Sequence, residues 1–262
     1  MGDAVEQLRR TTVQVLSGRG GSGSGVIVSA GGQLVTNAHV VSGATRVRVQ
    51  IWDGRAFDAT VTDRHPSRDL ALIQVSNVRD LPAARFASSS ALRPGAFVMA
   101  IGNPLGFVGA LSTGVVHSSG EWIAASVRLA PGNSGGPLAD AEGRVVGINS
   151  MVARNGLGFA IPSDAVQAFI LRPKAPKLGI SVHPAQEGLV VLSVEAGSAA
   201  DRASLRIGDV LINFRSPEDL RNRIERSDGS LLVEFHRGGK NNLRTVMVQL
   251  PIATGNKAAA AA

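Results

Sequence analysis

The sequence predicts a mainly β fold divided into two units. Three observations carry that expectation. Thirty-one glycines in 262 residues interrupt the chain at short intervals, as in proteins built from strands and tight turns. Between them, apolar residues alternate with polar ones or form blocks too short for a globular helix. The pattern then breaks once, at Arg172-Pro173-Lys174-Ala175-Pro176-Lys177. Prolines disfavour both helix interior and central strand there, so residues 173–177 read as a linker. Hydrophobic residues make up 44% of the chain, enough for packed cores rather than disorder.

Taken in order, Val26-Ile27-Val28 and Gln33-Leu34-Val35-Thr36 flank Ala30-Gly31-Gly32 and predict a hairpin. Residues 46–51 alternate through Val47, Val49 and Ile51. Residues 70–75, 97–101 and 145–148 are apolar runs suited to buried strands. A helix is expected over residues 163–171, with Ser163 as N-cap and Asp164 in its first turn. Beyond the linker, residues 189–194 and 210–212 read as strands. Ser216-Pro217-Glu218-Asp219 opens a helix, with Ser216 as cap and Pro217 at the first position. Leu220 and Ile224, four apart, face the core from it. Residues 231–235 and 245–250 close with two strands. The expected division is 1–172, linker 173–177, a second β-rich domain 178–252 with one clear helix, and a tail 253–262 ending in alanines.

Composition removes several function classes. There is no cysteine, hence no disulfide, thiol nucleophile or thiolate metal site. The five histidines are scattered, and no metal is expected. The net charge of +7 comes from dispersed arginines, with no tyrosine to stack bases, so no nucleic-acid partner is expected. Gly18-Arg19-Gly20-Gly21-Ser22-Gly23 fits a dinucleotide fingerprint in letters only, because a strand follows it where a helix is required. No apolar run approaches the ~20 residues of a membrane span. No signal peptide is visible after Met1-Gly2-Asp3.

The chemistry centres on Gly132-Asn133-Ser134-Gly135-Gly136-Pro137. A serine needs an adjacent base to act as nucleophile. Glycines around it permit a turn that aims backbone N–H groups at a developing oxyanion. In an α/β-hydrolase the serine opens a helix, which Gly135-Gly136-Pro137 opposes. The alternative order is His, Asp, Ser. It needs an upstream histidine and aspartate. Thr36-Asn37-Ala38-His39-Val40-Val41 and Arg68-Asp69-Leu70-Ala71-Leu72 supply them. His39 would then move the proton, Asp69 would orient His39, and Ser134 would attack.

These stretches, with Gly23-Ser24-Gly25-Val26-Ile27-Val28, Ile101-Gly102-Asn103-Pro104 and Gly158-Phe159-Ala160-Ile161-Pro162, resemble the HtrA/Deg family of trypsin-like serine proteases carrying a C-terminal PDZ domain. The resemblance implies a chymotrypsin-like double β-barrel, each barrel of six strands, with the site between them. It implies a triad of His39, Asp69 and Ser134, an oxyanion hole from the N–H groups of Gly132 and Ser134, and no cofactor. It also implies unfolded-protein substrates, a homotrimer and an extracytoplasmic location in bacteria. Leu178-Gly179-Ile180 resembles the family's carboxylate-binding loop and strand edge, with Leu220 and Ile224 lining a groove for C-terminal peptides. The chain departs from the family at Ser126, Ala130 and Arg128, the last beside the expected specificity pocket, and in the short segment 117–125. Those departures keep open a second reading, a catalytically resting or inactive PDZ scaffold.

Overall fold

A computed structural model describes residues 2–18, 21–103, 109–152, 156–172, 177–239 and 242–250. The expected linker lies outside the described residues except for Lys177, as do Pro104 and the expected tail. The chain separates into two compact units, Met1–Arg172 and Pro173–Ala262.

The first unit has the chymotrypsin-like plan. Twelve strands form two closed barrels of six, ordered β1-β2-β3-β6-β5-β4 and β10-β11-β12-β9-β8-β7. The first holds β1 (Thr12–Ser17), β2 (Ser22–Ile27), β3 (Gln33–Thr36), β4 (Arg46–Gln50), β5 (Ala56–His65) and β6 (Leu70–Val75). The second holds β7 (Phe97–Gly102), β8 (Ala110–Ser118), β9 (Ile123–Ala125), β10 (Pro137–Ala139), β11 (Val145–Val152) and β12 (Gly158–Pro162). The expected hairpin is present, with Val26 opposite Val35 and Ile27 opposite Leu34.

Strand periodicity explains why these runs are apolar on both faces. Side chains alternate across a strand. In β6, Ala71, Ile73 and Val75 fill the first barrel, while Leu70 and Leu72 point into a seam between the barrels. In β3, Leu34 goes into the barrel and Val35 into the seam. From the other side Ile101, Val145, Ile148 and Ile161 complete the seam. Truncating one such leucine or isoleucine to alanine costs about 2–5 kcal/mol, through lost burial and the cavity left behind.

Two helices cap the seam. Helix α1 (Gly2–Arg10) was not expected from the sequence. Glu6 pairs with Arg9 and Arg10, each at 3.1 Å, and Leu8 enters the seam. The Thr11 and Thr12 hydroxyls donate to the Leu8 carbonyl at 3.0 and 2.8 Å, ending the helix and turning the chain into β1. Helix α2 (Ser163–Leu171) packs Val166 and Phe169 into the same seam. Its start corrects the sequence reading. Ser163 is not the N-cap: its hydroxyl donates to the Ala87 carbonyl at 2.6 Å, and Pro162 occupies the cap position. Ser163 is fully buried, so a tertiary acceptor outcompetes the local one.

The second unit is one antiparallel sheet ordered β13-β14-β15-β16-β17. Its strands are Ile180–Ala185, Gly188–Val194, Val210–Leu211, Ser230–His236 and Leu243–Gln249. Among the described residues it carries two helices rather than one: short α3 (Ala199–Arg202) and α4 (Pro217–Glu225). Ser216 caps α4 as expected, accepting the Asp219 N–H at 3.1 Å. Buried Asp209 is neutralised by Arg237, which donates through Nε at 2.8 Å and Nη2 at 2.7 Å. Asp209 also accepts the Arg206 N–H at 2.8 Å, which fixes the turn around Gly208.

Candidate active site

Asp69 is placed by a strained turn. Pro66–Arg68 forms a single 3₁₀ turn, closed where the Asp69 N–H donates to the Pro66 carbonyl at 3.1 Å. Asp69 then takes a left-handed conformation, φ 52° and ψ 43°. Non-glycine residues adopt it rarely, aspartate more readily than most. The twist turns the carboxylate toward the loop that follows β3. There the Asn37 side-chain amide and the Ala38 N–H donate to the Asp69 carbonyl, at 2.9 and 3.1 Å. The His39 N–H donates to Asp69 Oδ1 at 3.0 Å. His39 Nδ1 lies 2.8 Å from Oδ2 and 3.0 Å from Oδ1. An ionised carboxylate only accepts, so Nδ1 carries the proton and Nε2 is left as the base.

The carboxylate has one more partner, unforeseen from sequence. The Ser150 hydroxyl, on β11, donates to Asp69 Oδ2 at 2.7 Å. Burial pushes the Asp69 pKa up, but hydrogen bonds from His39 and Ser150 outweigh it and hold the group below the ordinary aspartate value.

Ser134 sits on a turn that only glycine permits. A Cβ on Gly135 (φ 86°) would lie 2.1 Å from the Ser24 carbonyl oxygen, and one on Gly136 would lie 2.3 Å from that of Ile101. Gly132 is also left-handed, φ 105°. The turn is bound to the first barrel through Ser24. The Ser24 N–H donates to the Ser134 carbonyl at 2.8 Å, and the Ser24 hydroxyl donates to the Gly132 carbonyl at 2.7 Å. The same hydroxyl accepts the Asn103 N–H at 2.9 Å. The Asn133 N–H turns away to the Ala130 carbonyl at 3.0 Å. The Gly132 and Ser134 N–H groups make no backbone hydrogen bond among the described residues.

The Ser134 hydroxyl donates to the Ser150 carbonyl at 2.9 Å, not to His39. Ser150 therefore contacts both halves of the site, its hydroxyl on Asp69 and its carbonyl on Ser134. The structure thus gathers His39 and Asp69 from the first barrel with Ser134 from the second. Arg128 is exposed, its N–H on the Ser112 hydroxyl at 2.8 Å. In the second unit Leu178, Leu220 and Ile224 are buried in one core, with Ile180 packed against it and Gly179 left-handed at φ 80°.

Ser150 and Ser24 were missed as site residues. Ser24 stands inside the motif Gly23-Ser24-Gly25, but its hydroxyl's partners lie 79 and 108 residues away. Ser150 leaves a weak signal, a polar pair Asn149-Ser150 interrupting an apolar strand. His65 ends strand β5 and His117 is exposed on strand β8.

Two closed six-stranded barrels, with the histidine, aspartate and serine at their junction, define the trypsin-like class of serine peptidase. Residues 23–148 match the trypsin-like peptidase domain family. The periplasmic serine endoprotease DegP of Escherichia coli is 35% identical over 226 residues, covering 73% of this chain and 48% of DegP. Serine protease HTRA3 of Rattus norvegicus is 31% identical, covering 95% of this chain and 67% of HTRA3. A solved HtrA-type protease, AlgW with a decapeptide, superposes with a TM-score of 0.60 at 25% identity, covering 96% of this chain and 98% of that one. The chain belongs to the HtrA family of trypsin-like serine proteases. It spans about half the length of DegP.

Proposed function

We propose that the chain is a serine endopeptidase of protein quality control that cleaves unfolded polypeptides, with Ser134 as nucleophile, His39 as general base and Asp69 as its orienting acid. The observation that carries this reading is the two-oxygen contact between Asp69 and His39 Nδ1 at 2.8 and 3.0 Å, which leaves Nε2 free to take a proton. In the reaction the Ser134 hydroxyl leaves the Ser150 carbonyl and turns to Nε2. It attacks the substrate carbonyl, and the oxyanion is received by the N–H groups of Gly132 and Ser134. Each such donor is worth on the order of 10²–10³ in rate. His39, now protonated and stabilised by Asp69, gives its proton to the leaving amine, and water repeats the cycle on the acyl-enzyme.

The second unit is read as a PDZ domain. β13 is one of the two outer strands of its sheet, with α4 against it. A C-terminal peptide would add beside β13, its carboxylate at Leu178-Gly179-Ile180 and its last side chain over the Leu220 and Ile224 floor. A homotrimer and an extracytoplasmic location complete the proposal, supported by family resemblance and by the relative named as periplasmic. Among the described residues no helix is long and apolar enough to cross a membrane.

The test is degradation of an unfolded model protein, with Ser134→Ala as control. Cleavage by the wild type alone is expected. Equal cleavage by the variant would sink the assignment. A second reading, a resting protease or PDZ scaffold, is favoured by the Ser134 hydroxyl lying on the Ser150 carbonyl. A fluorophosphonate reagent separates the two. A scaffold stays unlabelled at Ser134 even with C-terminal peptide added, whereas a resting protease becomes labelled.

A further inference from the structure

The loop that carries His39 is held at two ends. Its near end hangs on Asp69 through Asn37, Ala38 and His39. Its far end is held by a residue of β5. The Arg64 guanidinium donates through Nη2 to the Val41 carbonyl at 3.3 Å and also to the Ala44 carbonyl. Arg64 stands 69 − 64 = 5 residues before Asp69. One short stretch of chain thus grips the His39 loop from both sides.

This is a costly way to fill space. Among the described residues the guanidinium contacts only neutral main-chain carbonyls, and its Nε is buried without a partner. A half-buried cation with no carboxylate and an orphaned N–H is poorly compensated for its lost hydration.

A second arginine fixes Arg64 itself. Arg172, the last residue of the first unit, grips Asp63 through Nε (3.2 Å) and Nη2 (2.8 Å). Its Nη2 also donates to the Arg64 carbonyl at 3.3 Å. Arg172 lies 4.6 Å above the Phe169 ring, and the His65 ring meets that ring edge-on at 6.1 Å. The Arg64 N–H donates to Asp63 Oδ1 at 2.8 Å.

We propose that Arg64 is a positioning residue for His39, restraining the far end of its loop through the Val41 and Ala44 carbonyls, and that the Arg172–Asp63 pair holds Arg64 in place. The proposal rests on reading His39 as the base. Without Arg64, buried Val40 and Val41 keep the loop folded, but His39 can pivot about its Asp69 anchor. A displacement of ~1 Å at a catalytic group can cost on the order of 10²-fold in rate.

The experiment compares wild type, Arg64→Ala, Arg64→Lys, Arg172→Ala and Ser134→Ala as full chains, each well below its own melting temperature. On a fluorogenic peptide, Arg64→Ala is expected to lose about 10–100-fold in kcat with KM nearly unchanged. Arg64→Lys should recover part of the loss, since an ammonium can reach one carbonyl. Arg172→Ala should fall less, in the same direction. Independently of turnover, the proton shared by His39 Nδ1 and Asp69 is followed by NMR downfield of the amides, and in Arg64→Ala it should shift or broaden. If Arg64→Ala melts lower yet keeps the wild-type kcat and resonance, Arg64 only supports the fold and the proposal is overturned. If the wild type cleaves nothing while the resonance still moves, the positioning role stands and the protease reading falls.

Discussion

Ser150→Ala isolates one hydroxyl whose only acceptor among the described residues is the Asp69 carboxylate. It removes the 2.7 Å bond to Asp69 Oδ2 and leaves the Ser150 carbonyl on Ser134 untouched. A hydrogen bond to a charged group contributes about 1.5–3 kcal/mol. The Asp69 side chain is 23% exposed, so water replaces part of the loss, leaving ~1–2 kcal/mol. For a unit of this size that lowers the melting temperature by roughly 2–8 °C. The pH dependence has a definite sign. The Asp69 pKa is lowered in the fold, so its carboxylate stabilises the protein above the unfolded aspartate value near 3.9, and that contribution is lost as pH falls through the folded value. The gap between variant and wild type should be full at pH 7 and shrink only as pH falls below the unfolded aspartate value and through the lowered folded one. Tryptophan fluorescence reads it cleanly, because Trp52 and Trp122 both lie in the first unit and the second has none. A gap that stays constant through the whole acid titration would show that the hydroxyl does not act through the ionised carboxylate.

Ser24→Ala should lower kcat and destabilise the first unit by about 2–4 kcal/mol, because the buried Gly132 carbonyl and Asn103 N–H both lose their partner; thermal melts and single-turnover cleavage check this. Arg237→Ala strands Asp209, which is 1% exposed, and should cost the second unit about 3–5 kcal/mol. Hydrogen exchange confined to residues beyond 177 would show it, with tryptophan-reported unfolding unchanged.

What was legible in the sequence followed from chemistry that is local in the chain. The order of His39, Asp69 and Ser134 could be read because each sits in a short motif. Glycine demanded by a turn, as at Gly135, leaves its letter behind. Helix α4 was legible because Ser216 and Pro217 signal its start within a few residues. Ser163 misled because the same local signal was overridden by the Ala87 carbonyl, 76 residues away. Ser24 and Arg64 were invisible, and Ser150 nearly so, for a related reason. Their partners are set by how strands are ordered in a closed barrel, and a lone serine or arginine carries no trace of that. Helix α1 was missed because its nine residues hold only one apolar repeat, Val5 and Leu8 three apart, too little to read as a helical period.

The seam between the barrels has a consequence for synthesis. It takes Leu8 from the first helix and Val166 and Phe169 from the last helix of the unit. A chain leaving the ribosome therefore exposes an unfinished apolar face on both barrels until residue 169 has emerged. Ser134 is translated well before that point, but the surface that sets it opposite His39 is not complete. Closure of the seam thus waits on helix α2, so the first unit is completed by its own last helix and not by the turn that carries Ser134.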